Sequence, residues 1–313
     1  MNIASIDIGT NTVLLLIATI DQEHLTFKPI INAYKVPRIG RGLIKGNSIP
    51  DKNVSQLLDV LKEYSFLIAQ NNCNITLVTA TNALRIATNA DNIVEKIKDA
   101  IGYDLKIVTG EEEAYLSFLG ASTSLPEIER KCSIDVGGGS TEIIIGTSGT
   151  IEFKESLQIG AVSLTERYIN NDPPTKFEIN IIQEFIKQKL SGLNKKLFND
   201  LTCIAVAGTP TTLSCIIKNL KTYNENVIEG STITIKDLNN IIILLTKMTA
   251  EKIKSKYGKI VEGREDILLS GSIIIHEFMK CVNLDKVYVS GRGIRYGAVI
   301  DYLNKQSLTA SKN

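Results

Sequence analysis

The tripeptide Ser-Ile-Asp stands at residues 5–7 and again at 133–135. Both copies end an apolar run and lead into an apolar residue, a glycine and a small polar turn: "IASIDIGTNTVLLLIATI" and "CSIDVGGGSTEIIIG". A second apolar strand follows each turn, so each copy reads as a hairpin with an acid at the end of its first strand. Further β-patterned segments come next, "HLTFKPIINAYKV" and "TIEFKESLQIG", and helical periodicity follows both. Such doubling at long range predicts two similar domains facing each other and excludes a solenoid of short repeats. At 313 residues the chain is long enough for both.

In the first half the pattern gives a helix over 51–70 with Asp51 as its cap, then strand "ITLVTAT". A helical stretch through "NIVEKIKDAIG", strand "DLKIVTG" and helix "EEEAYLSFLGAS" complete it. The second half gives helix "TKFEINIIQEFIKQKLSGLNKKL", strand "LTCIAVAG", helix "TPTTLSCIIKNL", helices over 235–248 and 266–282, strand "KVYVSG" and helix "RYGAVIDYL". Hairpins passing into βαβ units specify an α/β class, with mixed β-sheets flanked by helices. Pro126 and the charges within "STSLPEIERK" interrupt the pattern, which places domains at 1–125 and 126–313. The tail "KQSLTASKN" is expected to fray.

Composition narrows the chemistry. Lys and Arg number 35 against 34 Asp and Glu, so no global basic field favours a nucleic acid polymer. Five scattered cysteines (Cys73, Cys132, Cys203, Cys215, Cys281) contain no CxxC pair, which argues for buried thiols in a reducing cytoplasm. The only histidines read as bystanders, His24 in a polar turn-like stretch and His276 after three isoleucines in a helical pattern, which argues against a His-based triad or a three-His metal site. Any metal is then a hard cation held by carboxylates and water. "TVLLLIAT" lacks a basic leader and "NNIIILLTKM" is too short to span a bilayer, so neither export nor membrane insertion is expected.

The two turns themselves suit phosphate. A Walker loop needs Gly-Lys-Ser/Thr, and "GGGSTE" has no lysine; a dinucleotide fingerprint runs into a helix, and here a strand follows. What remains is a hairpin whose glycines let backbone N–H groups approach an anion. Thr10, Asn11 and Thr12 in one turn, and Gly137, Gly138, Gly139, Ser140 and Thr141 in the other, offer N–H and hydroxyl donors. Asp7 and Asp135 would face one Mg²⁺ across a cleft between the domains. "AGTPTTL" (207–213) places more small residues at a strand-to-helix turn, a candidate third wall.

The paired turns resemble the phosphate loops of the actin, sugar-kinase and heat-shock-chaperone superfamily. More narrowly, "SIDIGTNTVLL", "ATNALRIATNA", "GEEEAYLSFLGA", "IDVGGGSTEIIIG", "LQIGAVSLTERY", "AGTPTTLSCI" and "VSGRGIRYGAVI", in that order, resemble the exopolyphosphatase/guanosine pentaphosphate phosphohydrolase (Ppx/GppA) family in its short, two-domain form. The resemblance implies two actin-like (ribonuclease H-like) domains with the active-site cleft between them. It also implies a Mg²⁺-dependent phosphohydrolase acting on inorganic polyphosphate or guanosine pentaphosphate, with guanosine tetraphosphate as a further ligand and a homodimer as its assembly.

Family positions place Glu113 as general base, Asp135 as the metal-linked acid, Glu142 as a second metal candidate and Arg85 near the phosphate. Dipole stabilisation at a helix start accounts for Glu111 and Glu112 without function. An outward-facing strand position is the alternative for Glu142, and an ordinary solvent-facing helix arginine for Arg85. Departures stand at Gly291 (an acid in many members), Tyr296 (a glutamate) and Glu229-Gly230 (a His-Gly). A superfamily kinase and a non-catalytic alarmone sensor remain the alternative functions. Near-neutral net charge favours short polyphosphates or the alarmone over very long chains.

Overall fold

A computed structural model describes residues 1–147 and 150–310, with side chains through Ser307. It divides into two compact units, 1–120 together with the segment from Ile294 onward, and 121–293.

The first unit opens with β1 (Asn2–Ile8), β2 (Val13–Asp21) and β3 (Thr26–Lys35), an antiparallel meander. Helix α1 (Asp51–Gln70) leads to β4 (Cys73–Ala80), which pairs parallel with β1. Then come α2 (Asn82–Ile86), α3 (Ala90–Ile101), β5 (Leu105–Ile107), parallel to β4, and α4 (Gly110–Ser122). The sheet order is β3-β2-β1-β4-β5. Alternation sorts the faces: Ala4, Ile6 and Ile8 pack with Val54, Leu57, Leu61, Tyr64, Ile93 and Ile97 of α1 and α3, while Ile3 points to the opposite face. Helix α1 has the bounds expected of it, but Asp51 does not cap it. Pro50 holds the cap position in an extended conformation without a side-chain cap, and Asp51 is the first helical residue, where its charge meets the helix dipole.

The second unit repeats the plan with β6 (Lys131–Val136), β7 (Thr141–Gly146), β8 (Ile151–Leu157), α5 (Ala161–Tyr168), α6 (Lys176–Leu190), β9 (Thr202–Val206), α7 (Gly208–Ile217), α8 (Glu225–Ile228), β10 (Thr232–Thr234), α9 (Ile235–Leu245), α10 (Ala250–Tyr257), α11 (Leu268–Cys281) and β11 (Lys286–Ser290). Its order is β10-β11-β9-β6-β7-β8. Taken from the β8 end, β8-β7-β6-β9-β11 matches the first sheet strand for strand, and β10 is an added edge. Cys132, Ile134 and Val136 face a core built with α6, α9 and α11.

The last helix, α12 (Ile294–Ala310), corrects the expected domain boundary. Its Tyr296, Val299 and Leu303 pack on Ile3, Leu16, Ala18 and Ile20 of the first sheet, so it belongs to the first unit although it follows the second in sequence. The open face of β1 and β2 is apolar and must be covered, and α12 covers it. It stays helical through Ala310, where fraying was expected; residues 311–313 lie outside the described residues. No described helix is long and apolar enough to cross a membrane.

Candidate active site

Because β1, β4 and β5 run parallel, their C-terminal ends reach one edge of the first sheet. Ligands of open α/β sheets bind at that edge. The segments leaving it are the 9–12 turn, the stretch carrying Arg85, and the start of α4 with Glu113. Gly9 N–H donates to Thr12 O (2.9 Å) and closes the hairpin. The carbonyls of Thr10 and Asn11 accept from Gly40 N (2.9 Å) and Arg38 N (3.1 Å), respectively. Asp7, Thr10 and Asn11 are buried, and Thr12 is half-buried.

Backbone bonds stitch the edge together, from Thr81 N to Ile8 O (3.1 Å) and from Val108 N to Ala80 O (2.9 Å). On this frame Arg85 Nη1 donates both to Val108 O (2.9 Å) and to Glu113 Oε2 (2.8 Å). The structure thus joins two predicted site residues in one ion pair, with Glu113 buried and Arg85 partly so, against the solvent-facing alternative for Arg85. Arg85 Nη2 is buried and makes no hydrogen bond among the described residues, so a donor remains for an anion. Glu112 has a structural task. It caps α4 reciprocally with Thr109, accepting from Thr109 N (3.0 Å) while Thr109 Oγ1 accepts from Glu112 N (3.1 Å). The Lys106 ammonium at 2.6 Å, ahead of the Thr109 amide, holds its carboxyl below the usual range.

In the second unit β6, β9 and β11 are likewise parallel, and their ends lead to the glycine turn, to Ala207 and the start of α7, and to Gly291. Gly137 N donates to Ser140 O (3.0 Å). The carbonyls of Gly137 and Gly138 accept from Ala161, Val162 and Ser163, the first-turn amides of α5, at 2.9–3.0 Å. The turn's carbonyls are therefore taken up by α5, while the amides of Gly138, Gly139 and Ser140 donate to nothing among the described residues. That is the arrangement a phosphate cradle requires. Thr141 differs from the expectation for its hydroxyl: fully buried, it donates to Ile159 O (2.6 Å).

Asp135 and Glu142 lie directly opposite in the β6–β7 pair, so their side chains share a face. Both are buried, which removes the outward-facing alternative for Glu142, and Ser156 Oγ donates to Glu142 Oε1 (2.9 Å). Two buried carboxylates side by side fit a divalent hard cation. Among the described residues no group of three or more His, Cys, Asp or Glu side chains could hold a metal ion. A hard divalent cation that keeps several of its waters needs only one or two carboxylates.

Sequence reasoning missed other residues here. A Cβ on Gly208, first residue of α7, would come within 2.4 Å of Arg264 Nε, so this guanidinium lies against the helix start. Nothing in "VEGRED" signals that placement. Two noted departures turn out to be neighbours: Glu229 Oε2 accepts from Gly291 N (3.0 Å), and Glu229 Oε1 from Ser290 Oγ (2.5 Å) and Ser124 Oγ. The third, Tyr296, is a core residue of the first unit, its ring 5.9 Å from that of Phe27.

A model of the Ppx/GppA phosphatase family matches residues 16–306. The chain is 33% identical to the bifunctional 3-dehydroquinate synthase/phosphatase of Fusobacterium nucleatum over 95% of its own length, and spans 46% of that longer protein. To exopolyphosphatase 2 of Mycobacterium tuberculosis it is 28% identical, covering 95% of this chain and 97% of that one. The crystal structure of an Aquifex aeolicus member of the Ppx/GppA family superposes with a TM-score of 0.82 at 28% identity over 98% of both chains. With the duplicated sheet, the paired turns and the family match in agreement, this chain belongs to the Ppx/GppA phosphatase family.

Proposed function

We propose that this protein is a Mg²⁺-dependent acid-anhydride phosphohydrolase that removes the terminal phosphate of inorganic polyphosphate, of guanosine pentaphosphate, or of both. The observation that carries this is the Arg85–Glu113 pair, fixed at the carboxyl edge of the first sheet and tied through Thr81 and Ile8 to the Asp7 turn. The match to exopolyphosphatase 2 over nearly the whole of both chains supports polyphosphate as substrate.

In this mechanism Glu113 accepts a proton from water as the water oxygen bonds to the terminal phosphorus. The P–O–P bridge breaks, releasing orthophosphate and a chain one phosphate shorter. Phosphoryl transfer asks the protein mainly for positioning and charge stabilisation, and one well-placed carboxylate suffices as base. Arg85 fixes the carboxylate and presents Nη2 to a phosphate oxygen. The amides of Gly138, Gly139 and Ser140 supply further donors. Asp135 and Glu142 would hold the Mg²⁺, which when bound neutralises phosphate charge.

Purified Glu113→Gln should lose phosphate release by about a hundred- to ten-thousand-fold. Its far-ultraviolet circular dichroism and thermal midpoint should stay close to those of the parent. The measurement is orthophosphate released from tripolyphosphate, long-chain polyphosphate and guanosine pentaphosphate; near-normal turnover by the variant would rule out Glu113 as base.

A further inference from the structure

Between Lys35 and Asp51 the chain carries Arg38, Arg41 and Lys45, no acid and no aromatic residue. Net charge conceals this cluster, and the fold gives it a fixed place. At its near end, Arg38 N and Gly40 N bond to the carbonyls of Asn11 and Thr10 in the phosphate turn, and Ile39 is fully buried in the first core. Gly40 sits so close that a Cβ would come within 2.3 Å of Thr10 Cγ2. Arg38 takes a left-handed φ of 52°, a conformation that persists in a non-glycine residue only where its surroundings over-determine it. At the far end, Thr88 N donates to Asn47 O (3.1 Å), and Ile49 and Asn89 exchange two hydrogen bonds (2.9 and 3.0 Å).

The loop therefore runs from the Thr10–Asn11 turn to the residues that follow the Arg85 helix, and both ends are pinned. Arg41 and Lys45 are exposed along it and form no side-chain hydrogen bond or ion pair among the described residues, whereas Lys35 is paired with Glu63 (2.9 Å). Cations held beside a phosphate turn, in a segment that carries no aromatic side chain to stack on a base, match the chemistry of a bare phosphate chain.

The geometry points to residues 38–45 as a cationic rim on which Arg41 and Lys45 hold the trailing phosphates of a linear polyphosphate whose terminal phosphate meets the Asp7 turn. The identity of the substrate rests on the phosphohydrolase proposed above. The inference reverses the expectation of short substrates drawn from net charge, because chains long enough to reach the rim gain contacts that tripolyphosphate cannot make.

The test is the double variant Arg41→Ala/Lys45→Ala in the full chain, whose two changed side chains are exposed. Its kcat/KM on long-chain polyphosphate should fall about tenfold further than on tripolyphosphate. The slope of log KM against log salt should flatten by about one per cation removed. Equal losses on both substrates, or none on either, would overturn the rim. Direct binding of long-chain polyphosphate in the presence of chelator separates this from the catalytic proposal. If the parent binds the chain under chelation yet releases no phosphate from it once Mg²⁺ is restored, and the double variant binds about tenfold more weakly, the rim stands and the hydrolase assignment falls. A parent that does not bind the chain, or a double variant that binds it equally well, overturns the rim. So does an equal loss of affinity for single-stranded DNA, which would mark a general polyanion patch.

Discussion

The two glycine turns share one strand–turn–strand plan and follow a strand ending near the same acid, yet they are held by different means. In the first unit a loop does it: the amides of Arg38 and Gly40 take the carbonyls of Asn11 and Thr10. In the second a helix does it: three first-turn amides of α5 take the carbonyls of Gly137 and Gly138. The difference accounts for the unlike sequences "GTNT" and "GGGS". A helix end seated on a turn leaves no room for side chains at the contact, so glycines line both sides of it. A loop can meet the turn through one glycine of its own, which lets Thr10 and Asn11 keep their side chains. The helix end also spends its anion-binding capacity on the turn's carbonyls, so any phosphate there must be held by the turn's own amides.

Alanine at the two contact glycines should separate these supports. A Cβ on Gly160 would lie 2.4 Å from Gly138 C and O and 2.5 Å from Gly139 N, all backbone. Neither α5 nor the turn can yield without breaking the bonds between them. Gly160→Ala should cost about 3 kcal/mol, at the upper end of overpacking penalties. It should also remove most phosphate release, as thermal melts and the orthophosphate assay would show. At Gly40 the nearest atom is the Thr10 methyl, a side-chain end, with Thr10 O at 3.3 Å. Gly40→Ala should therefore cost only about 1 kcal/mol. Adding Thr10→Ser, which deletes that methyl, should recover most of the loss. Failure of the rescue would mean that backbone crowding matters in the first turn as well.

The parts of this molecule that were legible in the sequence are those that repeat or stay local. Helix α1 was readable to both ends from its apolar spacing and the turn residues around it, and the hairpins from their duplication. Periodicity says that α12 is a helix with an apolar stripe but not which sheet needs covering, and so it was assigned to the wrong unit. Glu113 and Arg85 were each singled out, yet their pairing depends on where β4 and β5 deliver two separate helices. Helix α5 is only eight residues long, and its importance lies in what its first turn touches. The cations of the 38–45 loop vanish in a net charge of +1, and the backbone bonds that give them a position are invisible in composition.

The helical support of the second turn has a further dependency that the first turn lacks, and acid should expose it. Helix α5 ends at Tyr168, and the chain then passes through 170–175 to α6, where the carboxylate of Glu178 gathers several of its hydrogen bonds. That carboxylate accepts from the amides of Thr175 (2.7 Å), Asn170 (2.7 Å) and Asn171 (3.2 Å) and from the side chains of Asn171 and Thr175. The Thr175 and Asn170 amides lead in lowering its pKa from 4.5 to about 2. Because the folded value lies below the unfolded one, the stabilisation is complete above about pH 4.5 and drains away as the pH falls towards 2. Glu178→Gln removes the titrating group, so its stability should change less over that interval than the parent's. Urea melts at successive pH values, followed by circular dichroism, measure the two slopes. The effect should be the smallest of those described, since one carboxyl is involved and α5 keeps its amide contacts to the glycine turn. Parallel slopes for parent and variant would show that the α5–α6 connection does not depend on this charge, leaving the helix end alone as the support of the second turn.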